Sequence, residues 1–185
     1  ATYYYRVTAV NDYGESVSST PVSIEALRRQ WYVQVVDSSA EVGRYSSIAI
    51  DSAGRPHISY LDISNMNLKY TRWDGSDWIG MESAIEPDVV DGDETVQVGE
   101  YTSIALDRKD VPHISYYDVT HGCLKYAYFD DGNWVGVEGD TPDIADPAAN
   151  DVGMYSSIAI DAAGDPHISY CDATGGVLKY AWIDW

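Results

Sequence analysis

The chain has 185 residues, with 30 acidic against 11 basic side chains and a formal net charge of −19. Such a surface repels phosphate, which argues against a nucleic-acid partner and against insertion into, or binding to, anionic membranes. No apolar run is long enough to cross a bilayer. No signal-peptide pattern is present, so a leader is expected to lie upstream or to have been removed.

In chain order, residues 1–26 stand apart. Tyr3, Tyr5, Val7 and Ala9 alternate with Tyr4, Arg6 and Thr8, the period of a β-strand. Asn11-Asp12-Tyr13-Gly14-Glu15 is turn chemistry, and residues 16–24 read as a second strand, placed at an edge by Pro21. The string from Thr2 to Asn11, with Gly14 and Ser16, resembles the last two strands of a fibronectin type III domain. That resemblance puts Tyr3 at the family's tyrosine-corner position. Two strands do not make a stable sandwich alone, so this hairpin is expected to belong to a longer polypeptide or to complete its sheet with another chain.

From residue 42 the chain repeats itself. Val42-Gly43-Arg44-Tyr45-Ser46-Ser47-Ile48-Ala49-Ile50-Asp51, Pro56-His57-Ile58-Ser59-Tyr60 and Leu68-Lys69-Tyr70 return from Val98, Pro112 and Leu124, and again from Val152, Pro166 and Leu178. Tyr45, Tyr101 and Tyr155 are 56 and 54 residues apart, the period of one supersecondary unit. Each unit reads as four short strands, in the first repeat 45–50, 57–60, 68–73 and one starting at Trp78, separated by turns at 51–56 and 74–77. No segment has a helical period. Sixteen Tyr and six Trp against one Phe suit half-buried β-surfaces.

The expected fold is therefore all-β: three four-stranded repeats, about 31–78, 79–134 and 135–185, that resemble β-propeller blades. More narrowly they resemble the YSSIAID…PHISYxD…LKYA…W repeats of large secreted prokaryotic surface proteins. The resemblance implies an extracellular or cell-surface location and carries little chemistry, because propellers host lectins, enzymes and scaffolds alike. The ends are out of phase. Residues 31–37 match a fourth strand, and the third repeat reaches Trp185 before one. Three alternatives stay open: further blades, two chains in one ring, or an open blade that accepts residues 31–37 of a neighbouring chain and so propagates as a fibre.

Residues present in every unit are expected to hold units together. His57, His113 and His167, with Tyr60, Tyr116 and Tyr170 and with Tyr45, Tyr101 and Tyr155, are assigned to that inter-unit core. The three histidines could instead ring a metal, but no second ligand type recurs at zinc-like spacing. Asp51, Asp107, Asp161, Asp62, Asp118 and Asp172, beside the repeated Lys69, Lys125 and Lys179, read as turn caps and ion-pair partners rather than as a glycosidase acid–base pair. The connectors are acidic. Asp88, Asp91, Asp93 and Glu94 around Gly92 form a calcium candidate, set against a plain solvated loop. The other connector holds Glu138, Asp140, Asp143, Asp146 and Asp151. Trp73, Phe129 and Trp182 read as equivalent ends of strand three, and Trp78 and Trp134 begin strand four. Trp73, Trp78, Trp134 and Trp182 are sugar-stacking candidates, with inter-blade packing as the other use of such rings. Pairing of Cys123 with Cys171 stays open.

The function expected from these features is a non-catalytic structural or adhesive scaffold, self-associating through neighbouring chains or further repeats. A carbohydrate-binding, lectin-like propeller is the alternative, and a glycoside hydrolase the third reading. Calcium is the one cofactor for which the sequence offers a candidate.

Overall fold

The computed structural model describes residues 2–25, 29–39, 41–93, 95–137, 139, 141–147 and 151–183, and all of them are strand, turn or irregular segment. They divide into two compact units, Ala1–Val35 and Val36–Trp185. In the first, β1 (Thr2–Tyr5) pairs antiparallel with β4 (Val22–Glu25), and β2 (Val10–Asn11) with β3 (Gly14–Glu15). The turn between β2 and β3 is held by Asn11 Oδ1, which accepts the Tyr13 N–H at 2.9 Å.

Residues 29–39 carry no strand, which corrects the reading of 31–37 as a formed fourth strand. A strand is a paired object, and here Trp31, Tyr32 and Val33 are 95%, 86% and 94% exposed.

The second unit contains three antiparallel sheets. Blade one is β5 (Val42–Ile50), β6 (Pro56–Asp62), β7 (Asn67–Trp73) and β8 (Trp78–Ile79), with β9 (Asp88–Asp91) also on β7. Blade two repeats this with β10 (Val98–Leu106), β11 (Pro112–Asp118), β12 (Cys123–Asp130) and β13 (Asn133–Val135), and with β14 (Asp143–Asp146) on β12. Blade three has β15 (Val152–Ile160), β16 (Pro166–Asp172) and β17 (Val177–Trp182).

The fourth strand is split, which the sequence reading missed. β8 pairs with the end of β7 at Trp73↔Trp78, the chain leaves over residues 80–87, and β9 returns to pair Tyr70↔Asp88 and Leu68↔Asp91. Asp88 causes the excursion. Its carboxylate accepts the N–H groups of Met81, Glu82 and Ser83 at 2.6, 3.1 and 3.0 Å. It lies so close over Gly80 that a Cβ there would sit 1.8 Å from Asp88 Oδ1, so only glycine fits. Gly136 and Asp143 repeat the arrangement in blade two, with a Cβ 2.3 Å from Asp143 Cγ. Within the acidic connectors, Asp88–Asp91 and Asp143–Asp146 are thus the second half of a strand.

The blades stack face to face. Leu68, Tyr70 and Val90 of blade one bury against Val98, Ile104, Ile114, Tyr116 and Trp134 of blade two. Leu124 and Tyr126 do the same against Val152, Ile158, Ile168 and Tyr170 of blade three. Each such side chain contributes roughly 1.5–3 kcal/mol of burial. The recurrent Val-Gly explains the closeness of this packing. A Cβ on Gly99 would lie 3.0 Å from Leu68 Cα, and one on Gly153 2.7 Å from Leu124 Cα.

The first strand of each blade makes further inter-blade contacts. Tyr45, Tyr101 and Tyr155 hold φ of 52°, 51° and 56° at a register shift, a strained region for an aromatic residue. Their rings meet in series, with centroids 4.7 Å apart for Tyr45–Tyr101 and 4.4 Å for Tyr101–Tyr155. Ser47 Oγ accepts the Ile104 N–H and Ser103 Oγ the Ile158 N–H, both at 3.2 Å. Thr102 Oγ1 donates to Ser59 Oγ at 2.8 Å. The Tyr-Ser-Ser-Ile string is a junction motif. Its end members differ from the core role read from repetition: Tyr45 and Tyr155 are 39% and 69% exposed, because no described blade covers them.

Candidate functional site

One polar contact recurs at every blade. Asp37 Oδ2 accepts Lys69 Nζ at 2.6 Å and the Tyr60 hydroxyl at 2.7 Å. Asp91 Oδ2 accepts Lys125 Nζ at 2.5 Å and the Tyr116 hydroxyl at 2.6 Å. Asp146 Oδ2 accepts Lys179 Nζ, and the Tyr170 hydroxyl at 2.7 Å. Each ammonium also lies 5.8 Å from the centre of the same tyrosine ring. Asp91 belongs to blade one and Asp146 to blade two, so the carboxylate of one split fourth strand clips the next blade. Burial would raise the Asp37 carboxyl, but hydrogen bonds from Lys69, Ser39 and Tyr60 outweigh it and hold the group well below the usual carboxylate range. Burial first, and then the Asp37 partner, push the Tyr60 hydroxyl up.

These partners correct the pairing expected for the lysines. The other repeated aspartates cap turns: Asp51 Oδ1 accepts the N–H groups of Ala53 and Arg55 at 2.9 and 2.7 Å, and Asp107 Oδ1 those of Lys109 and Val111 at 2.7 and 2.8 Å. Asp62, Asp118 and Asp172 accept N–H groups three residues on. The histidines are tied within their own blades: Nδ1 meets a tyrosine hydroxyl at 2.6 Å for His57–Tyr70, 2.6 Å for His113–Tyr126 and 2.5 Å for His167–Tyr180.

The calcium candidates are dispersed among different partners. Asp88 is buried and holds backbone N–H groups, Asp91 is in the clip, and Asp93 Oδ1 accepts the Thr95 N–H at 2.7 Å. Glu94 lies outside the described residues, as do Glu138 and Asp140. Among the described residues no group of three or more His, Cys, Asp or Glu is arranged to hold a metal ion. Cys123 and Cys171 are both free thiols.

The tryptophans part company. Trp134 is buried, edge-on to Tyr70 at 4.8 Å, and its Nε1–H donates to Asp88 Oδ2 at 3.0 Å. Trp78 packs on Trp73 at 5.6 Å. Strand register puts Arg72, Tyr128 and Trp182 opposite the three histidines, so Trp182 is the counterpart of Arg72 and Tyr128, not of Trp73 and Phe129. Trp182 is exposed and stacks on Tyr180 at 5.2 Å.

The two blade junctions differ at their turn edge. Between blades one and two, Ser52 donates its N–H and hydroxyl to Asp110 at 2.9 and 2.5 Å. Arg108 and Gly164 stand at the corresponding turn positions between blades two and three. A groove of about 440 Å³ opens there, lined by Asp107, Lys109, His113, Tyr128, Asp130 and Asp165. The His113 ring stacks on Tyr128 at 5.5 Å, 12° from parallel. Its Nε2 is buried with no hydrogen-bond partner among the described residues. Burial pulls the imidazole down to about 4 against the opposing charge of Asp107, so it is neutral at physiological pH. None of the sequence motifs flagged this groove, because it arises where the repeat is broken.

No family model matches the chain, and no curated protein does. Among solved structures it is similar to a fucose lectin from Kordia zhangzhouensis in complex with methyl-fucoside, with a TM-score of 0.42 and 19% identity over 75% of this chain and 92% of the lectin. It is also similar to a Hadza microbial sialidase, with a TM-score of 0.48 and 11% identity over 78% of this chain. The chain spans 35% of that sialidase.

Proposed function

We propose that the chain is a non-catalytic, carbohydrate-binding module of propeller type, working outside the cell, and that the groove between blades two and three holds the sugar. The observation that carries this reading is the groove's departure from the repeat. Recurrent polar side chains are drawn into clips, turns and His–Tyr pairs, whereas the non-recurrent Lys109 and Asp165, with Asp130, line the groove between blades two and three. Sugar hydroxyls both donate and accept. Asp107, Asp130 and Asp165 offer acceptors, Lys109 a donor, and Tyr128 a ring edge beside them. The surplus of carboxylates favours neutral sugars over anionic ones.

A glycan array at neutral pH tests the reading. Saturable binding to neutral glycans is expected, weakened about tenfold or more by Asp165→Ala or Lys109→Ala and unchanged by Ser52→Ala at the other junction. A folded chain that binds no neutral glycan overturns it.

A purely mechanical scaffold is the second reading, favoured by the threefold recurrence of the Asp–Lys–Tyr clip. It predicts a melting midpoint that no added glycan shifts.

A further inference from the structure

We propose that residues 31–37 of one copy of this chain complete the third blade of a second copy as its fourth strand, with Trp31 in the slot between that copy's second and third blades. The occupant is a second copy, and the inference stands independently of the carbohydrate reading.

The acceptor is an edge and face that the other blades keep covered. Leu68 and Leu124 are 0% exposed and their counterpart Leu178 is 81% exposed; Tyr70 and Tyr126 are 0% and 1% exposed and their counterpart Tyr180 is 54%. β7 and β12 each carry the two halves of a fourth strand, and β17 pairs only with β16 among the described strands. Beside β17 lies a cavity of about 590 Å³ lined by Tyr126, Asp143, Ala145, Ile168, Ala181 and Ile183. These are the counterparts of Tyr70, Asp88, Val90, Ile114, Ala127 and Phe129, the residues gathered around the Trp134 indole at the preceding junction. The cavity is an indole socket, with Asp143 standing where Asp88 accepts the indole N–H.

The donor fits by register. Asp91 opposes Leu68, Val89 opposes Lys69 and Asp88 opposes Tyr70. Asp37 set opposite Leu178 in the same way places Val35 at Lys179 and Gln34 at Tyr180. Continuing one residue per step, without any excursion like 80–87, brings Trp31 opposite Ile183. That is the place of Trp78 on Trp73 and of Trp134 on Phe129. Asp37 already clips its own Lys69 and Tyr60, as Asp91 clips the blade after its own. A strand lent to the partner's third blade therefore stays tied to the lender's first blade. That first blade presents a matching face, since Ile48 is 61% exposed whereas its counterparts Ile104 and Ile158 are 6% and 8%. The contact repeats the internal blade junction between chains, head to tail, by strand addition.

Sedimentation velocity of the full chain over about two decades of concentration tests this. Reversible association is expected. Trp31→Ala on the donor and Leu178→Asp on the acceptor each weaken it about tenfold or more. Both residues are exposed, so both variants should fold with the parent's circular dichroism and melting midpoint. An equimolar mixture of the two variants should form dimers and nothing larger, because one variant retains the acceptor and the other the donor. A chain that is monomeric throughout, or association that neither variant changes, overturns the proposal.

Discussion

The two junctions that flank the middle blade are built from the same residues and finish differently. Both use a buried Leu-x-Tyr face, a glycine against the leucine backbone, and an aspartate from one blade clipped to a lysine and tyrosine of the next. The first junction is also bridged at its turn edge by Ser52 and Asp110 and filled by Trp134. The second has a groove at one edge and an open cavity of about 590 Å³ at the other. The recurring residues therefore fix the stack, and the positions that depart from the repeat decide where space for a ligand or a partner remains.

The largest effect should come from breaking a clip. Asp91→Ala strands the mostly covered Lys125 ammonium, whose side chain is 13% exposed, and the Tyr116 hydroxyl, and should cost about 3 kcal/mol in urea unfolding. Asp146→Ala should cost about 1 kcal/mol, because the Lys179 side chain is 32% exposed and water can replace its partner. Equal losses would mean that the two junctions carry equal weight after all.

Gly153→Ala should follow at about 2–3 kcal/mol, since its Cβ would meet Leu124 backbone at 2.7 Å. Gly43→Ala, with nothing within 4 Å, should cost only the strain of its φ of 93°, about 1 kcal/mol. A smaller loss, about 1–2 kcal/mol, is expected for Trp134→Phe, which keeps most of the packing and removes the indole donor from buried Asp88.

The smallest change is a pH slope. Burial lowers His113 to about 4 in the folded chain, against its ordinary value near 6.5 when unfolded. Its contribution is fully present above pH 6.5 and is lost as pH falls from there toward 4, because the unfolded chain takes up the proton first. Urea midpoints at pH 7 and pH 5 should differ less in His113→Asn than in the parent. An unchanged difference would place the slope in other groups.

Local chemistry made much of this architecture readable from the sequence. Alternation in Pro-His-Ile-Ser-Tyr, the Asp-x-x-Gly turns and the period set by Tyr45, Tyr101 and Tyr155 gave an all-β chain of three like sheets, because strand period and turn capping act over a few residues. The clip was not readable in this way: Lys125 finds Asp91, 34 residues earlier and on the fourth strand of the preceding blade, rather than the aspartates that follow its own strands. Nor was the split fourth strand, which depends on Asp88 folding back over Gly80. Trp182 was misplaced for a related reason, since only the ladder register separates it from Trp73. The sequence by itself determined the repeating unit and its turns. Only the stacking of the sheets decided which carboxylate meets which lysine, which rings are covered and where the groove and socket open, because those depend on distances between blades that no local pattern encodes.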